Sequence, residues 1–251
     1  MRYIRLLKTM KNKRDILPHA ILDKISRINK SKKIELLLGM SVSSKLTSLL
    51  EIGTGSGYIA NYFSETYLWL DGVYAVDVVD QRQVKGNYHF KNISGTTLPY
   101  DNEKFKYILS NHVIEHVGQY DKQKEHLSEI HRCLEPNGIL YLAVPNRWRI
   151  IEPHYRLPFL SWLPSIFAAV YLKIMKKGSY YDCFPLSRSK ATKMLTDNGF
   201  EVEDVSLRAI KITRETEELS SFMRAITYTP KWLLTPFVHF IPTLIYICKK
   251  K

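Results

Sequence analysis

A chain of 251 residues with 45% hydrophobic and 24% charged residues has room for one globular domain with a filled core plus appendages, and its composition excludes intrinsic disorder. The formal net charge of +13 favours an anionic partner, whether nucleic acid, a membrane surface or an acidic substrate, without choosing among them. The three cysteines, Cys133, Cys183 and Cys248, are scattered and odd in number, which excludes a disulfide framework and a Cys-x-x-Cys metal signature and suits a reducing cytosol.

Residues 1–48 read as basic, amphipathic helical pieces. Eleven Lys and Arg residues lie between Arg2 and Lys33, with apolar patches at residues 16–25 and 34–40. No apolar leader core or small-residue cleavage site accompanies them, so a signal peptide is not expected. The period then changes. Leu49-Leu50-Glu51-Ile52 is a short apolar run ending in glycines, as a buried parallel strand would be. Residues 72–77 form a second expected strand, His89-Phe90 mark a weaker third, and residues 107–110 a fourth. Residues 121–134 show helical spacing, with His126 and His131 expected to be solvated, and stop at Pro136-Asn137-Gly138. Residues 139–144 are the clearest strand. Strands alternating with helices predict an α/β fold with a mostly parallel sheet. A late antiparallel hairpin is expected from residues 200–207 and 209–213.

The densest motif is Glu51-Ile52-Gly53-Thr54-Gly55-Ser56-Gly57, between a strand and a helix. A pyrophosphate-binding loop would space its glycines as G-x-G-x-x-G, whereas this loop has G-x-G-x-G, which favours an adenosyl cofactor without a pyrophosphate. Asp77 ends the second strand at the separation that lets a carboxylate accept from ribose hydroxyls, with Asp80 a nearby competitor.

With Leu98-Pro99-Tyr100-Asp101, Asn111-His112-Val113-Ile114-Glu115-His116 and Leu134-Glu135-Pro136-Asn137-Gly138, these motifs fall in an order that resembles the class I S-adenosylmethionine-dependent methyltransferases. The likeness is to the small-molecule branch related to ubiquinone and menaquinone biosynthesis enzymes, and it runs from about residue 49 to residue 158. It implies a Rossmann-like seven-stranded sheet with helices on both faces and an antiparallel last strand. It also implies that Glu51, Gly53, Gly55 and Gly57 shape the methionine subsite, that Asp77 holds the ribose, and that Asn111 faces the sulfonium or acceptor. The family usually carries an acid four positions before the Leu-Pro pair to hold the adenine amine. Ser94 stands there, followed by Gly95 and Thr96, and a hydroxyl or carbonyl would take that role with weaker adenine selectivity.

For a hydroxyl acceptor the chain must also remove a proton, and His112, His116 and His154 are the candidate bases. His112 and His116 would share one face if a helix began there. In some quinone-pathway relatives, residues at the positions of His112, Glu115 and His116 bind a divalent ion. Here the first is a histidine, and no metal is expected. Residues 151–185 read as an acceptor-side insertion, within a cofactor-binding domain of residues 49–215 that follows a basic segment of residues 1–48. Two apolar stretches, residues 159–175 and the 232–248 part of a tail at 216–251, suit either a membrane interface or a cap on the acceptor site. The resulting expectation is a cytoplasmic, peripheral membrane methyltransferase acting on a small-molecule, lipid-linked or glycan acceptor, at oxygen. The alternatives are a nucleic-acid methyltransferase, disfavoured because no Asn-Pro-Pro-aromatic stretch is present, and a non-catalytic scaffold.

Overall fold

The computed structural model describes residues 23–40 and 47–251, the side chains of residues 222, 223 and 231 excepted. Its centre is a seven-stranded sheet formed by β1 (Ser48–Ile52), β2 (Gly72–Asp77), β3 (His89–Asn92), β4 (Phe105–Asn111), β5 (Leu134–Pro145), β8 (Phe200–Asp204) and β9 (Thr243–Lys250), in the order β3-β2-β1-β4-β5-β9-β8. β9 runs antiparallel to both neighbours, and the pairings from β3 through β5 are parallel. The strand order reverses between β1 and β4, and ligands of open α/β sheets bind at such a switch point, beyond the carboxyl ends of the strands.

Helices cover both faces. Leu50, Ile52, Ile108, Leu140 and Leu142 pack with Leu127 and Ile130 of α3 (Tyr120–Cys133) and with Met194 and Leu195 of α5 (Arg188–Asp197). Leu49, Val73, Leu109 and Tyr141 meet α1 (Lys24–Leu38), α2 (Tyr58–Thr66) and α6 (Ser206–Thr216) on the other face. α1 begins at Asp23, whose carboxylate accepts the Ser26 N–H at 2.7 Å, and ends at left-handed Gly39. It buries Ile34, Leu37 and Leu38 in the same core as β1, so this part of the basic segment is built into the sheet domain. The patch at residues 16–22 lies outside the described residues.

Two expectations about the C-terminal third are corrected. Residues 200–213 are not a hairpin. β8 ends at Asp204, and Ala209 and Ile212 have the spacing of the buried stripe of α6. The antiparallel partner of β8 is β9, so the end of the apolar tail lies inside the sheet. Leu244, Tyr246 and Cys248 enter one core and Ile245 and Ile247 the other, a strand period with both faces buried.

Between β5 and α5 the chain builds a separate unit. β6 (Ile151–Glu152) and β7 (Leu157–Pro158) pair antiparallel, and α4 (Ser165–Ile174) follows. Leu157, Leu160, Ala168, Leu172, Tyr181 and Cys183 form its own small core. α7 (Ser221–Tyr228) and a short helix, α8 (Lys231–Leu234), precede the 3-10 segment Thr235–Phe240 that leads into β9. No helix among the described residues is long and apolar enough to cross a membrane.

Candidate active site

The loop after β1 is held from below by its own acidic residues. Glu51 is buried, and its Oε2 accepts the Ala60 N–H in the first turn of α2 at 3.0 Å. Burial pushes its carboxyl up to about 8, against the opposing pull of that hydrogen bond and of the Arg27 guanidinium. Gly53, Gly55 and Gly57 all have positive φ, a conformation that costs side-chain-bearing residues energy. A Cβ on Gly53 would sit 2.3 Å from Val113 Cγ2, and one on Gly57 would lie 2.4 Å from the Tyr88 hydroxyl. Asp77 reaches across from β2. Its Oδ2 accepts the Gly55 N–H at 2.8 Å, and its Oδ1 accepts the Val78 N–H at 2.7 Å. Asp80 instead pairs with the Arg82 guanidinium at 2.8 Å.

Beyond β3, Ser94 and Gly95 are exposed at the same edge, and a Cβ on Gly95 would meet nothing within 4 Å. The Thr96 hydroxyl donates to Glu125 at 3.3 Å. The Leu98-Pro99-Tyr100 motif proves to be an anchor for α3. Glu129 accepts the Leu98 N–H at 2.9 Å, and Arg132 donates to the carbonyls of Leu98 and Tyr100 at 3.0 and 2.8 Å.

At the end of β4, Asn111 directs a buried Oδ1 that accepts no hydrogen bond among the described residues. The next residues do not start a helix. His112 takes a left-handed φ of 58°, and the segment to His116 is a turn closed by the His116 N–H on the Val113 carbonyl at 2.8 Å. This turn brings the imidazoles of His112 and His116 to one fully buried carboxylate, with Glu115 Oε1 at 3.3 Å from His112 Nδ1 and 3.9 Å from His116 Nε2. Burial holds His112 below the usual imidazole range despite Glu115, and the histidine neighbours hold Glu115 below the usual carboxylate range despite its burial. His126, expected to be solvated, is buried under this turn with its Nε2 3.2 Å from the Ser110 hydroxyl, and burial lowers it to about 4. His131 lies against the ring of Phe200.

His154 sits at the tip of the β6–β7 hairpin. Its Nδ1 lies 2.7 Å from Oε1 of buried Glu152, whose Oε2 accepts the Tyr155 N–H at 2.8 Å. The rings of His154 and His116 meet edge to face at 5.3 Å. Sequence reasoning missed Cys183, whose Sγ lies 3.5 Å from His154 Nδ1 and 3.8 Å from His116 Nδ1. It also missed Glu152, for which the short Glu-x-His spacing was the available signal. A cavity of about 560 Å³ opens along the same edge of the sheet, bordered by Trp148, Arg188, Asp204 and His239.

Comparison with known proteins agrees with this geometry. A family described as "Methyltransferase domain" matches residues 13–205 of the chain. No curated protein matches it in sequence. Among solved structures it is similar to the methyltransferase bound to the Haloferax volcanii Trm112 activator, with TM-score 0.53, 15% identity and coverage of 92% of this chain and 99% of that one. It is similar also to Haemonchus contortus phosphoethanolamine N-methyltransferase 2 in complex with S-adenosyl-L-methionine, with TM-score 0.52, 15% identity and coverage of 88% and 52%. The [4+2]-cyclase SpnF shares the fold at TM-score 0.51 and 14% identity, over 88% of this chain and 80% of that one. At such identities these likenesses establish the fold.

The residues present fit an adenosyl cofactor. A Cβ-free loop lies at the sheet's switch point, Asp77 borders it, and the orphaned Asn111 Oδ1 lies on the other side of that point. The chain belongs to the methyltransferase-domain family whose profile spans most of its length, and S-adenosylmethionine is its cofactor.

Proposed function

We propose that this methyltransferase acts on a hydroxyl of a small, lipid-linked acceptor presented at an anionic membrane surface. Gly53, Gly55 and Gly57 admit the methionine part of the cofactor, Asp77 takes the ribose hydroxyls, and the Ser94–Thr96 segment meets the adenine. When bound, S-adenosylmethionine supplies an electrophilic methyl group on a sulfonium. His112 would be the base that takes the proton of the acceptor hydroxyl as that oxygen is methylated. Burial lowers the proton affinity of this imidazole, and Glu115, 3.3 Å from its Nδ1, stabilises the imidazolium that forms.

One observation carries the assignment of the acceptor. The acceptor edge of the sheet is bordered by an apolar surface that water should not leave uncovered. On α4 the outward residues Ile166, Val170 and Ile174 follow helical spacing at 50–76% exposure, with Phe167 beside them. Trp232, Leu233, Phe237 and Phe240 are likewise exposed, and Phe240 stacks on Trp162 at 6.4 Å, so the two apolar segments adjoin. Lys173 in the last turn of α4 and Lys176 and Lys177 just beyond it give the pattern of a segment lying in an anionic interface.

Two measurements test the two halves of this reading. Calorimetry should show S-adenosylmethionine binding that Asp77→Ala weakens by about 5- to 150-fold, the range for losing hydrogen bonds to a charged group. Sedimentation with phosphatidylglycerol vesicles at low salt should retain the native chain and lose a Phe167→Ser/Trp232→Ser double variant. If the native chain stays in the supernatant, the membrane-borne acceptor is wrong even though the cofactor binds.

A further inference from the structure

We infer that His116, His154 and Cys183 form a binding site for a borderline-soft divalent ion of the zinc class. One donor atom from each lies within 4.8 Å of the other two. The Sγ–Nδ1 separations are 3.5 Å to His154 and 3.8 Å to His116. Bonds of about 2.3 Å to sulfur and 2.0–2.1 Å to nitrogen, at a tetrahedral angle, place those ligand atoms about 3.5 Å apart. The two sulfur–nitrogen spacings are therefore already those of a coordination polyhedron.

Each ligand is fixed by an element of its own. His116 closes the turn after β4 through its N–H on the Val113 carbonyl. Cys183 is clamped beside that turn because the Phe184 N–H donates to the Glu115 carbonyl at 2.8 Å. The Gln123 amide also bridges the carbonyls of Ile114 and Phe184 at 3.2 and 2.8 Å. The second nitrogen of His116, Nε2, faces Glu115 at 3.9 Å, whereas Glu152 Oε1 lies 2.7 Å from the same His154 Nδ1 that faces the sulfur and yields that nitrogen when an ion binds. An outer carboxylate placed as Glu115 is fixes ring orientation and raises ligand basicity in metal sites. The surroundings are acidic as well. Glu115 and Glu152 are buried, and Asp182 Oδ1 lies 3.7 Å from the sulfur. Arg149 is the nearby cation that influences both buried acids.

On binding, the Cys183 thiol gives its proton to solvent and a metal–sulfur bond forms. Three protein ligands leave one corner of a tetrahedron for water or for an acceptor's oxygen. This ligand set shares only His116 with the set that the quinone-enzyme resemblance suggested. It is also independent of the methyltransferase reading, because it rests on side chains outside the glycine loop.

Cobalt titration of the full, chelator-treated chain tests it. The expected result is one equivalent of Co(II) bound, with a thiolate-to-cobalt charge-transfer band and the intense visible bands of a tetrahedral ion, both removed by Zn(II). Cys183→Ser should abolish the charge-transfer band, and Glu115→Gln, which leaves all three ligands in place and removes the carboxylate facing His116 Nε2, should weaken binding about 10- to 100-fold. Near-ultraviolet circular dichroism and S-adenosylmethionine calorimetry on each variant separate loss of the ion site from loss of the fold. No stoichiometric uptake by the native chain, or bands unchanged in Cys183→Ser, overturns the site. Cofactor binding by the same native sample would leave the methyltransferase reading standing.

Discussion

Acid should unfold this protein partly through one histidine. His126 lies in α3 with its Nε2 3.2 Å from Ser110 and no access to solvent, and burial lowers it to about 4 from a reference of 6.5. The unfolded chain thus takes up the proton more readily than the folded one. The stability contributed by keeping this ring neutral is complete above pH 6.5 and drains away as pH falls toward 4. The difference of 2.5 pKa units corresponds to about 3 kcal/mol in all, of which about 2 kcal/mol is lost between pH 7 and pH 5. Urea denaturation of the native chain and of His126→Gln, followed by circular dichroism over this range, measures the effect, because titrations elsewhere cancel in the difference. Gln retains a donor and an acceptor for Ser110 but cannot be protonated. The native chain should lose about 2 kcal/mol relative to the variant over those two pH units. Parallel pH profiles would refute the reasoning, since they would mean that the ring reaches water in the folded state.

The neighbouring loop predicts the opposite sign. Glu51, raised to about 8 by burial, binds a proton that the unfolded chain has already lost above pH 4.5, so native stability should fall as pH rises from 5 to 8. Glu51→Gln should flatten that fall, and equal slopes in the two denaturation series would count against it. Gly53→Ala places a methyl where Val113 Cγ2 stands and forces a left-handed φ on a residue with a side chain, so about 2 kcal/mol or more of stability should be lost. Adding Val113→Ala should restore only the steric part, which a melting series of the single and double variants would show.

What was legible in the sequence was what is local. The G-x-G-x-G loop and Asp77 announce themselves because a tight turn and a strand-end carboxylate lie within one βαβ unit, whereas the anchoring of Leu98 and Tyr100 by Glu129 and Arg132, 31 to 34 residues on, does not. β9 was misread because both of its faces are buried. Leu244, Ile245, Tyr246, Ile247 and Cys248 form an unbroken apolar run, and the alternation that marks a strand is invisible when neither side meets water. His126 had a usable signal. Gln123, His126, Leu127 and Ile130 have the spacing of one helix face, and that face is the buried one. Cys183 had none, since it meets His154 across 29 residues and His116 across 67. Only the docking of the β6–α4 unit against the turn after β4 brings the three together.

That docking also bears on what kind of acceptor face this is. A cyclase and a methyltransferase share the fold, so the cofactor half of the molecule cannot by itself specify the chemistry. The unit inserted after β5 is where the proposed specification lies, because beside its apolar core it also encloses polar groups. Its outer surface carries Ile166, Phe167 and Ile174 in the open, while its inner surface carries Glu152, His154 and Cys183. Stability alone does not call for buried Glu152 beside that core, because a buried carboxylate is costly to desolvate. Both features are accounted for if, as proposed, the outer face meets lipid and the inner groups meet an ion or a reacting hydroxyl. On that account the unit presents a lipid-borne acceptor on one side to polar chemistry on the other.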